Sequence, residues 1–209
     1  MGSSASREYA ESFGIEDEAL VAARASSEEF GCEPVAPAAG NALRFLAAAL
    51  DARAVVEVGT GAGVSGLWLL GGMRADGVLT SVDTEAELQR AARQAFRDAG
   101  VAAVRTRLIN GAALEVLPRL TDGAYDLVFV DGPKNEFQAC LDEALRLLRP
   151  GGVVVFAGAL GRGRVGEPSA RDPETVALRD LMKVVREHEQ LVAALIPLGE
   201  GLLAAVRRP

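Results

Sequence analysis

Lysine is nearly absent from this chain: Lys134 and Lys183 are the only two in 209 residues, and arginine supplies the remaining positive charge. Histidine occurs once, at His188, and cysteine twice, at Cys32 and Cys140. Neither cysteine belongs to a Cys-x-x-Cys pair or a Cys/His cluster, which leaves no zinc pattern and no disulfide framework. Two distant, reduced thiols suit a cytoplasmic protein. No apolar run approaches the ~20 residues of a membrane span, and the start lacks a basic segment followed by an apolar signal core, so we expect a soluble chain with no membrane partner. Met1-Gly2-Ser3-Ser4-Ala5-Ser6 fits the short myristoylation pattern, but small residues match it by chance, and the start reads as a flexible polar segment. Positive charge is also in deficit. Lys and Arg number 22 against 29 Asp and Glu, a net charge of −7. That balance argues against a surface that neutralises a phosphate backbone, and hence against a nucleic-acid partner.

What the chain has in quantity is apolar residues, 49% of the total, enough for a full core in one large α/β domain. Helical apolar spacing covers 16–25 and 37–50, with Gly31-Cys32-Glu33-Pro34 as a break between them. From Asp51 onward, short β-branched runs at 55–58, 78–82, 104–109, 127–130 and 153–156 alternate with amphipathic helices. Alternation of this kind implies a parallel sheet with crossover helices. Thr84 and Glu87 read as a capping box, opening a helix that Gly100 closes; another helix covers 136–148 and stops at Pro150-Gly151-Gly152. Asp172-Pro173 marks a further helix start. The runs 191–196 and 202–206 flank Pro197-Leu198-Gly199-Glu200-Gly201, a connection too short for a parallel crossover, which predicts an antiparallel hairpin.

The strongest motif is Val55-Val56-Glu57-Val58-Gly59-Thr60-Gly61-Ala62-Gly63-Val64-Ser65, a buried strand that breaks into alternate glycines and opens a helix. Glycines let the backbone turn with positive φ and approach a ligand closely, and the helix start offers free N–H groups. The same stretch contains Gly61-Ala62-Gly63-Val64-Ser65-Gly66, which fits the dinucleotide pattern G-x-G-x-x-G. Asp83, closing the second strand, is placed to accept from a ribose diol in either case. It identifies an adenosine-like ligand and leaves the reaction open. Tyr125 to Asp131 is a strand that delivers Asp131 to the carboxyl edge of the sheet, where ligands bind in open α/β folds.

The form E-x-G-x-G-x-G resembles motif I of S-adenosylmethionine-dependent methyltransferases. With Asp131-Gly132-Pro133-Lys134 and Leu147-Leu148-Arg149-Pro150-Gly151-Gly152-Val153, the chain resembles the catechol O-methyltransferase-like enzymes, O-methyltransferase family 3, whose motif order it follows over 35–206. The resemblance implies a class I methyltransferase fold: α/β, Rossmann-like and doubly wound, a mostly parallel seven-stranded sheet with a C-terminal antiparallel hairpin. A single domain would span 1–209, with 1–34 as an N-terminal helical extension. The resemblance also implies S-adenosyl-L-methionine as methyl donor, S-adenosyl-L-homocysteine as product, a small-molecule methyl acceptor and a homodimer. Carried over residue by residue, it places Glu57 and Asp83 at the ribose and Gly59, Thr60, Gly61 and Ser65 in the turn around the methionine part. Val35 would close over the cofactor, Thr84 flank ribose and adenine, and Ala113 meet the adenine edge. Asp131 borders the cofactor and, with Lys134, stands at the acceptor; Lys134 matches the family's catalytic base.

The chain departs from the family at the end of the fifth strand. Members that use Mg²⁺ or another divalent ion hold it with an aspartate matching Asp131 and an Asp-Asn pair, which here reads Ala157-Gly158. One carboxylate makes a poor site for a hard cation, so we expect no tightly bound metal. Two mechanisms remain. Lys134 deprotonates a hydroxyl that Asp131 holds, which needs a lysine displaced from its ordinary value near 10.4, or the acceptor is already nucleophilic and the protein only orients it. A non-catalytic S-adenosylmethionine-binding protein and a nicotinamide-dependent oxidoreductase are the competing readings. Asp131-Gly132-Pro133-Lys134 lacks the second proline and the aromatic with which base methyltransferases stack a flipped base. Trp68 reads as core, and His188 as a solvated helix end without a catalytic role. Arg162 and Arg164 lie in the loop where the family places its acceptor-binding insertion.

Overall fold

The β-branched runs assemble into one seven-stranded sheet in the computed structural model, which describes residues 4–208. The strands are β1 (Ala54–Val58), β2 (Val78–Asp83), β3 (Thr106–Asn110), β4 (Tyr125–Val130), β5 (Leu148–Ala157), β6 (Leu191–Ile196) and β7 (Leu202–Arg207). Their order is β3-β2-β1-β4-β5-β7-β6, with β7 antiparallel to both of its neighbours and the other pairings parallel. The hairpin expected at the C-terminus is therefore present and lies on the β5 side.

Helices cover both faces: α1 (Ser4–Phe13), α2 (Glu18–Glu29), α3 (Pro37–Ala49), α4 (Val64–Gly72), α5 (Ala86–Asp98), α6 (Ala113–Val116), α7 (Phe137–Leu147) and α8 (Pro173–Glu187). The period-two alternation of each strand divides the core. Val55, Leu127 and Val155 face Leu43, Trp68, Leu69 and Phe96 of α3, α4 and α5. Val56, Val128 and Val154 face Phe137, Leu141, Leu178 and Leu181 of α7 and α8. Strands covered on both sides read as continuous apolar runs, and fully burying each such Leu, Val or Phe stabilises by about 1.5–3 kcal/mol. Trp68 is core, as expected, at 2% exposure. Its ring fixes the approach of α3 to α4, because a Cβ on Gly40 would stand 2.3 Å from the indole.

Several local expectations fail for identifiable reasons. Thr84 does not cap α5, whose N-cap residue is Glu85 with no side-chain cap bond; Asp83 Oδ1 instead accepts from the Glu85 N–H at 2.9 Å. Val104 is not in a strand. It sits 81% exposed in a 3₁₀ turn, Ala103–Arg105, that precedes β3. Helix α7 ends at Leu147, and Pro150-Gly151-Gly152 lies inside β5, where the pairing with β4 shifts register between Tyr125 and Leu127. The polar start is helical from Ser4, while Met1 to Ser3 of the myristoylation pattern fall outside the described residues. Asp172 does cap α8, accepting from the Thr175 N–H at 3.0 Å.

β1 runs to β2 on one side and is flanked by β4 on the other, so the chain's strand order reverses between β1 and β4. A crevice opens at their carboxyl ends, the usual place for a ligand in a doubly wound sheet.

Candidate active site

The crevice begins where β1 stops. Gly59 takes φ +90 there, its N–H donates to Val82 O at 2.9 Å, and a Cβ on it would lie 2.0 Å from the Asp131 carbonyl oxygen. Only glycine fits. Asp131 in turn donates its N–H to Val58 O at 2.8 Å, which locks the ends of β1 and β4 together. Gly61 N–H donates to Asp83 Oδ2 at 3.0 Å. Both oxygens of Asp83 are thus engaged with backbone at the end of β2, and the carboxylate is held facing the glycine turn.

Glu57 is fully buried behind this turn. Its Oε1 accepts from Ser65 Oγ at 2.7 Å and its Oε2 from Ser81 Oγ at 2.5 Å, while Thr60 and Ser81 hydroxyls lie 2.7 Å apart. Burial pushes the carboxyl up to about 7, against the two hydroxyls, which favour the charged form.

Two cavities meet at the crevice. The smaller, about 140 Å³, includes Cys32, Val35, Gly59, Thr60, Gly61, Ser65, Asp83, Leu88 and Asp131 in its wall. The larger, about 640 Å³, takes in Asp131, Lys134, Ala157, Gly158, Thr175, Leu178 and Leu198. Glu33, Pro34, Val35 and Asp131 border both, so the two cavities adjoin with Asp131 between them. Of the residues expected at a cofactor, Val35, Gly59, Thr60, Gly61, Ser65, Asp83 and Asp131 come together in the smaller cavity. Glu57 stands one layer behind it, Thr84 is exposed beside it, and Ala113 is buried at the start of α6, outside its wall.

Lys134 projects into the larger cavity from a 3₁₀ turn, Lys134–Glu136, that leads into α7. Its Nζ donates to Ala157 O at 3.1 Å, lies 3.9 Å from Asp131 Oδ1 and sits 4.5 Å from the centre of the Phe137 ring. Burial lowers the lysine from its ordinary value, while the charges of Asp131 and Glu174 oppose that shift. Asp131 is raised, chiefly by burial, with Lys134 pulling it back. The donors do not suit a divalent ion. Asp131 offers one carboxylate, Ala157 and Gly158 offer no side-chain oxygen, and Lys134 fills the space between them; no group of three His, Cys, Asp or Glu side chains placed to hold a metal occurs among the described residues.

Sequence reading missed the wall formed by Cys32, Glu33 and Pro34, where only a chain break was visible. Glu33 meets Arg162 at 2.8 Å across the cavity mouth, and Arg164 pairs with Asp172 at 2.7 Å. Arg162 and Arg164 in the loop after β5 are therefore each paired with a carboxylate.

Over residues 14–208 the chain matches the O-methyltransferase family. The chain belongs to that family. An O-methyltransferase relative from Mycobacteroides abscessus, so classed by its name, is 52% identical over 199 residues, covering 95% of this chain and 93% of that one. Among solved structures, a Corynebacterium glutamicum protein superposes with a TM-score of 0.91 at 34% identity, covering 98% of this chain and 96% of its own. The O-methyltransferase TomG of Streptomyces achromogenes, involved in tomaymycin synthesis and solved in complex with SAM, gives 0.88 at 29% identity over 98% and 96% of the two chains. As an O-methyltransferase the molecule is an enzyme on an α/β sheet of the class I methyltransferase kind, with its antiparallel strands at the C-terminus.

Proposed function

We propose that this enzyme transfers a methyl group from S-adenosylmethionine to the hydroxyl of a small molecule without a divalent metal. The observation that carries the reading is the pair of adjoining cavities, one at the glycine turn of Gly59 and one at Lys134, with Asp131 in the wall of both, in a chain of the O-methyltransferase family. S-adenosylmethionine supplies a methyl group on a sulfonium, an electrophile that an oxygen nucleophile attacks in line. The residues of this chain divide the remaining work. Asp83 accepts from the ribose hydroxyls, and the open backbone at Gly59, Thr60 and Gly61 passes close to the amino-acid part. Glu57 supports that turn from behind through Ser65 and Ser81, and Thr84 and Ala113 flank the adenosine end. Val35 and Pro34 close the cleft and exclude water. Asp131 and Lys134 hold the acceptor oxygen at the junction of the two cavities. As the oxygen–carbon bond forms and the carbon–sulfur bond breaks with its electron pair going to sulfur, the hydroxyl proton passes to the Asp131 carboxylate, beside which Lys134 stands as the ammonium.

The larger cavity, about 640 Å³, suits a small-molecule acceptor. The unit is one domain whose N-terminal segment, helical over Ser4–Phe13 and Glu18–Glu29, is an extension, and it works in the cytoplasm. We read it as a homodimer. Edge strand β6 carries no charged side chain, and Val192 and Leu195 on it and Val206 on β7 remain 38–52% exposed, as an edge that pairs with a second copy would.

Calorimetric titration with S-adenosylmethionine and S-adenosylhomocysteine, alongside NADH, tests the reading. Saturable binding of the first two at one site per chain is expected. Preference for NADH would replace the methyltransferase reading by an oxidoreductase one.

A further inference from the structure

The end of β5 carries a fit that methyl transfer alone does not demand. Gly158 follows Ala157 with φ +66, and a Cβ on it would stand 3.0 Å from Lys134 Nζ and 3.2 Å from Lys134 Cε. A Cβ at this position is tighter than ordinary contact, so the end of the lysine would have to give by a few tenths of an ångström. The amino group touches Ala157 O, Asp131 Oδ1 and the Phe137 ring, and a larger side chain at 158 would push it off these contacts toward the open cavity. A carbonyl oxygen, a carboxylate and an aromatic face are three groups that favour a positive charge. Together they make a seat for a cation at the floor of the larger cavity, and the cation is tethered to the chain.

We infer that Gly158 is a positioning residue, which by lacking a side chain seats Lys134 as a built-in cation against the acceptor oxygen, where a divalent ion would need further ligands. The identity of that oxygen rests on the methyltransferase reading; the seat itself rests on geometry. The arrangement makes two solutions mutually exclusive. A residue at 158 with a ligating side chain would evict the ammonium, and the ammonium in place occupies the Ala157 carbonyl and faces the Asp131 carboxylate that a metal would use. Asn is the side chain best able to replace Gly at positive φ, so it probes eviction with the least backbone strain.

The chain's two lysines make the test direct. Protein labelled with ¹³C at lysine Cε gives one resonance for Lys134 and one for Lys183, assigned by Lys183→Arg. In the wild type, Lys134 is expected to be shifted by the Phe137 ring, to show a cross-relaxation contact with the Gly158 Hα protons, and to be protonated at neutral pH. In Gly158→Asn the ring shift and the contact are lost and Lys134 moves toward the exposed position of Lys183. Gly100→Asn, at φ +70 with no atom within 4 Å of its Cβ, controls for backbone strain and leaves the resonance unmoved. An unshifted or neutral Lys134 in the wild type overturns the inference without any variant, and so does an unmoved Lys134 in Gly158→Asn. S-adenosylhomocysteine titrated into the same wild-type sample separates the two levels. Absence of binding overturns the methyltransferase reading, whereas binding with an unshifted Lys134 overturns the seat alone.

Discussion

Gly59 and the Asp131 carbonyl approach so closely that a single methyl group cannot fit between them: a Cβ at 59 would stand 2.0 Å from that oxygen. The contact joins the glycine turn after β1 to the end of β4 at Asp131.

Gly59→Ala should therefore destabilise the fold by about 3 kcal/mol or more, combining the left-handed backbone cost with overpacking against a backbone atom. It should also abolish S-adenosylhomocysteine binding. Gly100→Ala shares the positive φ but meets nothing within 4 Å, and should cost about 1–2 kcal/mol while leaving binding intact. Denaturant unfolding and calorimetry distinguish the two; equal losses in both variants would mean that the Asp131 contact is unimportant.

Asp83→Ala should weaken S-adenosylhomocysteine binding by about 1–3 kcal/mol, through loss of the ribose acceptor. The carboxylate also accepts from the Gly61 and Glu85 N–H groups, so part of the loss comes from a loosened turn. Asp83→Asn keeps one acceptor oxygen and should fall between the two. An unchanged dissociation constant in Asp83→Ala would remove Asp83 from the cofactor site.

Glu57 makes stability depend on pH in the direction opposite to a salt-bridged carboxylate. Its folded value of about 7 lies above the unfolded value of 4.5, so between these the folded state keeps a proton that the unfolded chain has lost. Stability of the free protein should fall as pH rises from 4.5 to 7, with the full penalty, on the order of 3 kcal/mol, present above that window. Glu57→Gln should remove this part of the slope in a difference plot of unfolding free energy against pH. A slope equal to that of the wild type would show that Glu57 does not titrate in this range.

Cys32 borders the smaller cavity, and its Sγ would lie 3.4 Å from a Cβ on Gly61. Alkylation with iodoacetamide should block S-adenosylhomocysteine binding, and bound S-adenosylhomocysteine should protect the thiol. Burial and the charges of Asp131 and Asp83 raise this thiol above its ordinary value, so modification should accelerate only in alkaline solution. Cys140, buried and pushed up to about 12, should remain unmodified. Mass spectrometry reads both sites; alkylated Cys32 with full binding would take it out of the cleft.

Much of the frame was legible because its signals are local. Alternate glycines after a β-branched strand marked a tight turn whose backbone is open to close approach, and the five-residue connection at 197–201 could only join antiparallel strands. Asp83 and Asp131 followed from their places at strand ends. What escaped was set by contacts distant in sequence. Glu33 reaches Arg162 across the cavity mouth, and Gly158 makes room for Lys134, but neither pairing leaves a trace in spacing. Glu57 was assigned to the ribose on resemblance, while the strand's alternation turns it inward to Ser65 and Ser81. The apparent capping box at Thr84 failed because Asp83, one residue earlier, takes the first free N–H of the turn.

The central claim is methyl transfer at Asp131 and Lys134 without a divalent ion, and isotope transfer measures it most directly. Methyl-labelled S-adenosylmethionine would be incubated with the enzyme and a panel of small hydroxylated acceptors, in EDTA and again with excess Mg²⁺. The account predicts labelled product at the same rate in both, falling on the order of a hundredfold in Lys134→Met with S-adenosylhomocysteine affinity retained. Product that appears only with Mg²⁺, or turnover untouched in Lys134→Met, would contradict it.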